Sequence, residues 1–274
     1  MKIGALISLK PEGMPEKFRA LRDLSLEYCQ LSCWNMDLYT PETAAEMKKL
    51  AAENGITITA LWAGWSGPTE WNFNYGPATL GLVPAAYRGV RLADLKKGSD
   101  FAEWLGVDTL VTHVGFLPED MHHPDWNGTV GALRDLCKYM QAKGQTFLFE
   151  TGQETPVTLR RVIEDVGTGN LGINLDPANL ILYGKGNPID ALDVFGNYVC
   201  DIHAKDGEYP TNGRNLGKET VVGKGKVNFP KFIEKLKEIG YDRTLIIERE
   251  ISGEQQIKDI NCTKIYLEEL IGSR

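Results

Sequence analysis

Eight times along its 274 residues, this chain follows a short apolar run with a longer amphipathic stretch. The runs lie near 3–8, 27–33, 56–62, 108–113, 146–150, 171–176, 198–203 and 244–249. The amphipathic stretches lie near 15–25, 41–54, 85–105, 127–143, 156–166, 188–195, 229–239 and 255–270. Strands alternating with helices, with no antiparallel hairpin signal, predict a parallel sheet. Eight repeats predict closure into a (β/α)8 TIM barrel, a fold that takes about 250 residues. One barrel domain over residues 1–274 is therefore expected.

Local chemistry marks the joints. Thr40-Pro41-Glu42 supplies an N-cap, a proline suited to the first helical turn and an acid that complements the helix dipole. Asn228-Phe229-Pro230 predicts a similar opening for a later helix. Gly55, Gly106, Gly144 and Gly240 each stand after a helix and before a strand, where a left-handed residue ends the helix. Two loops, at about 64–84 and 205–227, exceed the repeat. Both follow strands, which puts them on the face where such barrels keep their active sites, and loops this long are usually lids or binding loops.

Four strands end in residues that hold metals: Phe147-Leu148-Phe149-Glu150, Ile173-Asn174-Leu175-Asp176, Asp201-Ile202-His203 and Leu245-Ile246-Ile247-Glu248. The gaps are 26, 27 and 45 residues, against roughly 30 or a little more for a βαβ repeat. Consecutive strands can thus deliver Glu150, Asp176, His203 and Glu248 to one rim, a set that suits a hard or borderline divalent cation. One acid at a strand end is usually only a helix cap or a lysine's partner; the weight lies in the four together. Alternation along a strand predicts that Leu148 and Thr146 face inward with Glu150, Asp201 and Val199 with His203, and Ile246 and Thr244 with Glu248. Below the rim these inner positions are mainly apolar or small.

Composition narrows the partners. A net charge of −7 gives nothing for counterion release, so nucleic acid is a poor partner. The five cysteines are odd in number and match no disulfide framework or zinc knuckle, which fits a reducing cytoplasm. The N-terminal apolar run is too short for a secretion signal, and no stretch is long enough to predict a membrane span.

Further motifs carry a resemblance. Gly223-Lys224-Gly225-Lys226-Val227-Asn228-Phe229, Ile239-Gly240-Tyr241-Asp242, Ile246-Ile247-Glu248, His203-Ala204-Lys205-Asp206 and Leu175-Asp176 resemble the xylose isomerase-like barrels of sugar isomerases and epimerases, nearest the ketose 3-epimerases, over nearly the whole chain. The resemblance implies one divalent ion (Mn favoured, or Mg, Co or Zn) held by Glu150, Asp176, His203 and Glu248, with the two glutamates as the acid/base pair. A proton α to a carbonyl is too weakly acidic to leave unaided, and a cation chelated by the substrate's oxygens stabilises the enediolate. One glutamate would remove the proton and the other return it to the far face. The expected partner is a small sugar or polyol; homo-oligomers are common among such barrels. Two alternatives stay open: a dehydratase of an inosose or dehydroshikimate-like substrate, and a non-catalytic sugar-binding barrel.

Asn179 stands where several relatives carry a histidine, three residues after the aspartate. With four histidines in the chain, the zinc-cluster nucleases of the same fold are a poor match. Other candidates have two readings each. His113 contacts substrate or is a hydrogen-bonded buried histidine. Trp62 and Trp65 form a wall under a sugar ring or pack on the barrel top. Lys205 binds a substrate oxygen or makes a surface ion pair. Gln153 and Glu154 reach substrate or cap a helix, and Glu250 continues the parity of Glu248. His122 and His123 are adjacent, so they diverge and read as a solvated loop.

Overall fold

A computed structural model of the protein describes residues 1–272. Eight parallel strands close into a barrel: β1 (Lys2–Ser8), β2 (Tyr28–Cys33), β3 (Thr57–Ala63), β4 (Thr109–Thr112), β5 (Thr146–Glu150), β6 (Leu171–Leu175), β7 (Val199–Ala204) and β8 (Thr244–Ile247). Each pairs with its neighbours in sequence, and β8 closes on β1. The main helices are α1 (Met14–Asp23), α2 (Pro41–Asn54), α3 (Ala85–Leu105), α4 (Pro124–Gln141), α5 (Pro156–Val166), α6 (Pro188–Phe195), α7 (Phe229–Glu238) and α8 (Glu254–Gly272). The fold is the expected (β/α)8 TIM barrel.

The helix ends follow backbone chemistry. The Thr40 hydroxyl accepts from the Thr43 N–H at 3.1 Å and opens α2. Gly55, Gly106, Gly144 and Gly240 all have positive φ. Asn228 departs from expectation: it precedes α7 at φ 59° and its side chain makes no capping bond. Two short helices, Gly76–Thr79 and Pro177–Leu182, were not foreseen. Nor was an antiparallel pair, Asp206–Glu208 with Lys218–Thr220, inside the 205–227 loop. Three residues per strand give too little alternation to read.

The inner face of the barrel has two kinds of layer. Ala60, Trp62, Val111 and Leu148 form an apolar cluster with Leu6 and Cys200 against it. A polar layer of Gln30, Asn174 and Asp201 is also buried, so the inner positions are less apolar than their sequence suggested. The parity expected for Val199 fails. The ladder pairs Ile173 with Val199 and then Asn174 with Asp201, so Cys200 is the extra residue of a bulge. The bulge turns Val199 to the outer core and Cys200 inward, while Asp201 and His203 keep their inward direction.

Register explains how four strands reach one height. Glu150 aligns with Asn174, Asn174 with Asp201, and His203 with Ile246. Asp176 and His203 therefore stand two residues above the level of Glu150, and Glu248 two above His203. Strand tilt in a closed barrel compensates for such a climb, so the four side chains meet near one level of the axis.

Candidate metal centre

Glu150 ends β5, Asp176 follows β6, His203 lies in β7 and Glu248 follows β8. Each offers one ligand atom, and these atoms all lie within 4.8 Å of one another. Local structure fixes them. Asp176 caps the Pro177–Leu182 helix, its Oδ1 accepting from Asn179 N–H at 2.9 Å. The Thr151 hydroxyl donates to the Asp176 carbonyl and accepts from its N–H, both at 2.8 Å. The Glu248 N–H donates to Ala204 O at 3.2 Å and ties β8 to β7 above the regular ladder.

The polar layer below sets the histidine tautomer. The Gln30 amide nitrogen donates to Asn174 Oδ1 at 2.9 Å and to Asp201 Oδ2 at 2.8 Å. Both are acceptors, so the amide can face only one way, and its Oε1 meets His203 Nε2 at 2.9 Å. Nε2 must then carry a proton, and Nδ1 turns its lone pair to the rim. Asp201 is held in turn by Thr244 Oγ1 at 2.6 Å and the Ile202 N–H at 2.9 Å.

At the rim, His203 Nδ1 is 3.1 Å from Glu150 Oε1 and 3.1 Å from Glu248 Oε2. Asp176 Oδ2 is buried with no hydrogen-bond donor; its nearest cation is Lys205 Nζ at 3.6 Å. A nitrogen lone pair and three carboxylate oxygens at this spacing repel unless a positive charge lies among them. A second imidazole proton answers part of that need, and a divalent cation answers it fully. The donor set, nitrogen and oxygen with no thiolate, fits such an ion.

The charges follow from burial and neighbours. Burial pushes the Glu150 carboxyl up, but His113 and His203 outweigh it and hold the group well below the ordinary range. Burial also opposes ionisation of Glu248, and Lys205 and His203 again win. For Asp176 burial wins: despite Lys205, the carboxyl is pushed up to about 7. Burial disfavours the His203 and Lys205 cations, yet Glu150 and Glu248 raise the first, and Glu248, Glu250 and Asp176 the second, well above normal.

A cavity of about 500 Å³ opens above these groups. Trp62, His113 and Asn179 line it together with Glu150 and Glu248. Trp62 Nε1–H donates to Glu150 Oε2, and His113 Nε2 approaches the same oxygen at 3.4 Å. The Asn179 amide donates to Glu150 Oε1 at 3.2 Å. Lys205 is buried behind the rim, reaching Glu250 at 2.6 Å and Glu248 at 3.4 Å, so it is no surface pair. Glu154 is also buried and off the cavity wall. It does not cap α5, a role taken by Thr155; its Oε1 accepts from Gly152 N–H at 3.2 Å. Burial lifts its carboxyl to about 7. Trp65 packs beneath the wall, while Glu250 does reach the cavity. His123 caps α4, its Nδ1 accepting from Asp125 N–H at 3.2 Å, with no metal role beside His122.

Several residues of the site were not anticipated. Gln30 was visible as one amide in an apolar strand. Trp34 and Trp71 join Trp62 along the cavity, and their loops gave no periodicity to place them. No helix among the described residues is long and apolar enough to cross a membrane.

Comparison with known proteins places the chain. A family model described as xylose isomerase-like TIM barrel matches residues 18–266. An uncharacterized protein of Methanocaldococcus jannaschii is 33% identical over 98% of this chain and 90% of its own. A crystal structure of a xylose isomerase domain protein from Planctomyces limnophilus is 37% identical, with a TM-score of 0.92 over 98% of this chain and 96% of that one. A 3-keto-D-glucoside 4-epimerase from E. coli is 18% identical, with a TM-score of 0.74 over 98% and 99%, a likeness of fold alone. On the matched span and these identities, the chain belongs to the xylose isomerase-like TIM barrel family.

Proposed function

We propose that the protein is a divalent-metal-dependent isomerase or epimerase that moves a proton α to the carbonyl of a small keto-sugar or polyol-derived ketone. The observation that carries this reading is the pair Glu150 and Glu248, which reach the same His203 Nδ1 at 3.1 Å from strands separated by β6 and β7. Two carboxylates at the edge of one cavity are what removal and return of a proton require. Glu150, Asp176, His203 and Glu248 would hold the ion, Mn favoured over Mg, Co or Zn. Such an ion supplies Lewis-acid stabilisation of charge developing on substrate oxygens.

The chain's own groups do the rest. Glu150 is gripped on both oxygens, by Trp62 and His113 on one and Asn179 on the other. Glu248 is the more open, with 13% of its side chain exposed against 3% for Glu150. One carboxylate takes the proton; the other, in its acid form, returns one to the carbon. Return from the opposite side inverts that carbon, and return to the neighbouring carbon isomerises the sugar. Lys205 holds the rim charges in balance and the tryptophans exclude water from one side of the cavity. The E. coli relative, named as an epimerase of a keto-glucoside, agrees with this chemistry. Free Cys29, Cys33 and Cys137, all buried, agree with a reducing compartment such as the cytoplasm.

Glu150→Gln and Glu248→Gln should each lower turnover by about two to four orders of magnitude, the usual contribution of a positioned acid or base. A variant at full rate would remove its glutamate from the mechanism. Solvent deuterium entering a substrate C–H separates chemistry from plain binding. Growth of an ultraviolet-absorbing enone would favour a dehydratase instead.

A further inference from the structure

The cavity has two unlike walls. One carries Glu150, Glu248 and Asn179; the other is a run of tryptophans leading outward. Trp62 touches Glu150, the Trp34 ring is 5.1 Å from Trp62, and the Trp71 ring is 6.3 Å from Trp34 at 87°. Trp71 also lies 5.1 Å from the His113 ring. Trp34 and Trp71 are 41% and 39% exposed, although large apolar rings normally find cover. Trp34 packs closely on Gly64, where a side-chain carbon would collide with its ring. Two exposed indoles at right angles make a corner that suits the C–H face of a sugar or another flat apolar group.

The charge at this mouth is equally specific. Arg249 and Glu250 line it. The Arg249 guanidinium is committed to Glu219 at 2.9 Å and Asp259 at 2.8 Å. Lys205 is committed to Glu250, Glu248 and Asp176. The other basic lining side chain, His113, already faces Glu150 with its Nε2 at 3.4 Å, so each basic group described on this wall is matched to a carboxylate, and Glu250 would repel a phosphate.

Resting on the proton-transfer reading above, we propose that the preferred substrate is an uncharged glycoside larger than one sugar. Its keto-sugar ring lies over Glu150 and Glu248, and its aglycone or second ring occupies the Trp34–Trp71 corner. The cavity of about 500 Å³ has room for both groups, within the usual range for such ligands.

The test measures binding to the manganese-loaded protein by calorimetry and indole fluorescence. The probes are the 3-keto derivatives of glucose, galactose and mannose, each as free sugar, phenyl glycoside and 6-phosphate, so that every probe carries a C–H next to a carbonyl. At least one glycoside should bind about tenfold tighter than its free sugar, and each phosphate more weakly than its sugar, as a stacked ring and an unmatched anion require. Trp71→Ala and Trp34→Ala should each bring the glycoside-to-sugar ratio close to one. Trp71 lies on an exposed loop, so its variant serves if loss of Trp34 disturbs folding. A phosphate that outbinds the glycosides, a free sugar that matches them, or no binding by any glycoside overturns the proposal. Deuterium exchange keeps the two readings apart. Glycoside preference without exchange would sink the proton transfer and leave the assignment of this corner standing. Exchange into a free sugar, with no glycoside bound, would do the reverse.

Discussion

Two long loops cover the same barrel mouth and are anchored by opposite charges. Residues 64–84 are pinned by Arg91 of α3, whose guanidinium donates to the carbonyls of Ser66 at 3.0 Å, Pro68 at 2.8 Å and Gly81 at 2.7 Å. It also packs over the rings of Trp65 and Tyr87. Residues 205–227 are pinned by Asp206, whose carboxylate accepts from four backbone N–H groups. Oδ1 takes Gly207 at 2.9 Å and Val227 at 3.1 Å; Oδ2 takes Gly223 and Gly225 at 3.0 Å. The cation gathers carbonyls and the anion gathers amides. Both loops are tied down in this structure and both line the cavity, through Trp71 and Leu216, which suits the binding-loop alternative of the two the sequence offered. The difference lies in what each can lose. A carbonyl has two lone pairs and tolerates a missing partner, whereas a buried N–H has one bond to make.

That asymmetry ranks the first tests. Asp206→Ala leaves the amides of Gly207, Gly223, Gly225 and Val227 without their acceptor and should cost about 3–5 kcal/mol in urea unfolding. It should also impair turnover, because Lys205 is the adjacent residue. Arg91→Met keeps much of the packing on Trp65 and leaves three carbonyls, so about 2–3 kcal/mol is expected. An equal or reversed order would show that the two anchors do not differ in the way their donor and acceptor counts imply. Gly225→Ala comes next: its added carbon would overlap the Asp206 carboxylate, and the strain should cost about 1–3 kcal/mol at the same loop. Faster hydrogen exchange at Gly223 and Val227, with the 64–84 loop unchanged, would locate the damage.

The Gly223-Lys224-Gly225-Lys226-Val227 run shows what a sequence can and cannot disclose. It was legible as a motif, but its partner Asp206 lies some twenty residues away, and only the folded loop reveals that the glycines yield their amides to a carboxylate. The barrel was legible because strand and helix periods are local, and the rim quartet because the repeat spacing carries residues to one end. The bulge at Cys200, the Gln30 tautomer lock and the tryptophan corner were not, since each depends on pairing between distant strands or on loops without periodicity. Lys205 is an intermediate case. It was legible as a candidate for a substrate oxygen or a surface ion pair, but its contact with Asp176 required the stagger between β6 and β7.

That contact gives the finest test, because only the 205–227 loop reaches the rim charges through it. Asp176 must be a carboxylate to hold a cation, and burial places its carboxyl at about 7. Cation binding should therefore weaken as pH falls through about 7, with a proton displaced on binding below that point. Lys205 stands 3.6 Å from Asp176 and favours the ionised form. Lys205→Met removes that support, raises the carboxyl further and should move the midpoint for manganese binding up by roughly one pH unit, about 1.4 kcal/mol. Arg91→Met should leave the midpoint where it was, because its loop brings no charge to Asp176. Calorimetry in two buffers of different ionisation enthalpy counts the displaced proton directly. If both variants shift the midpoint alike, the pH response belongs to general loosening of the mouth. If neither does, the Asp176 proton is controlled by burial and by the other rim groups, Glu248, Glu150 and His203, and the two loops differ only in how they are fastened.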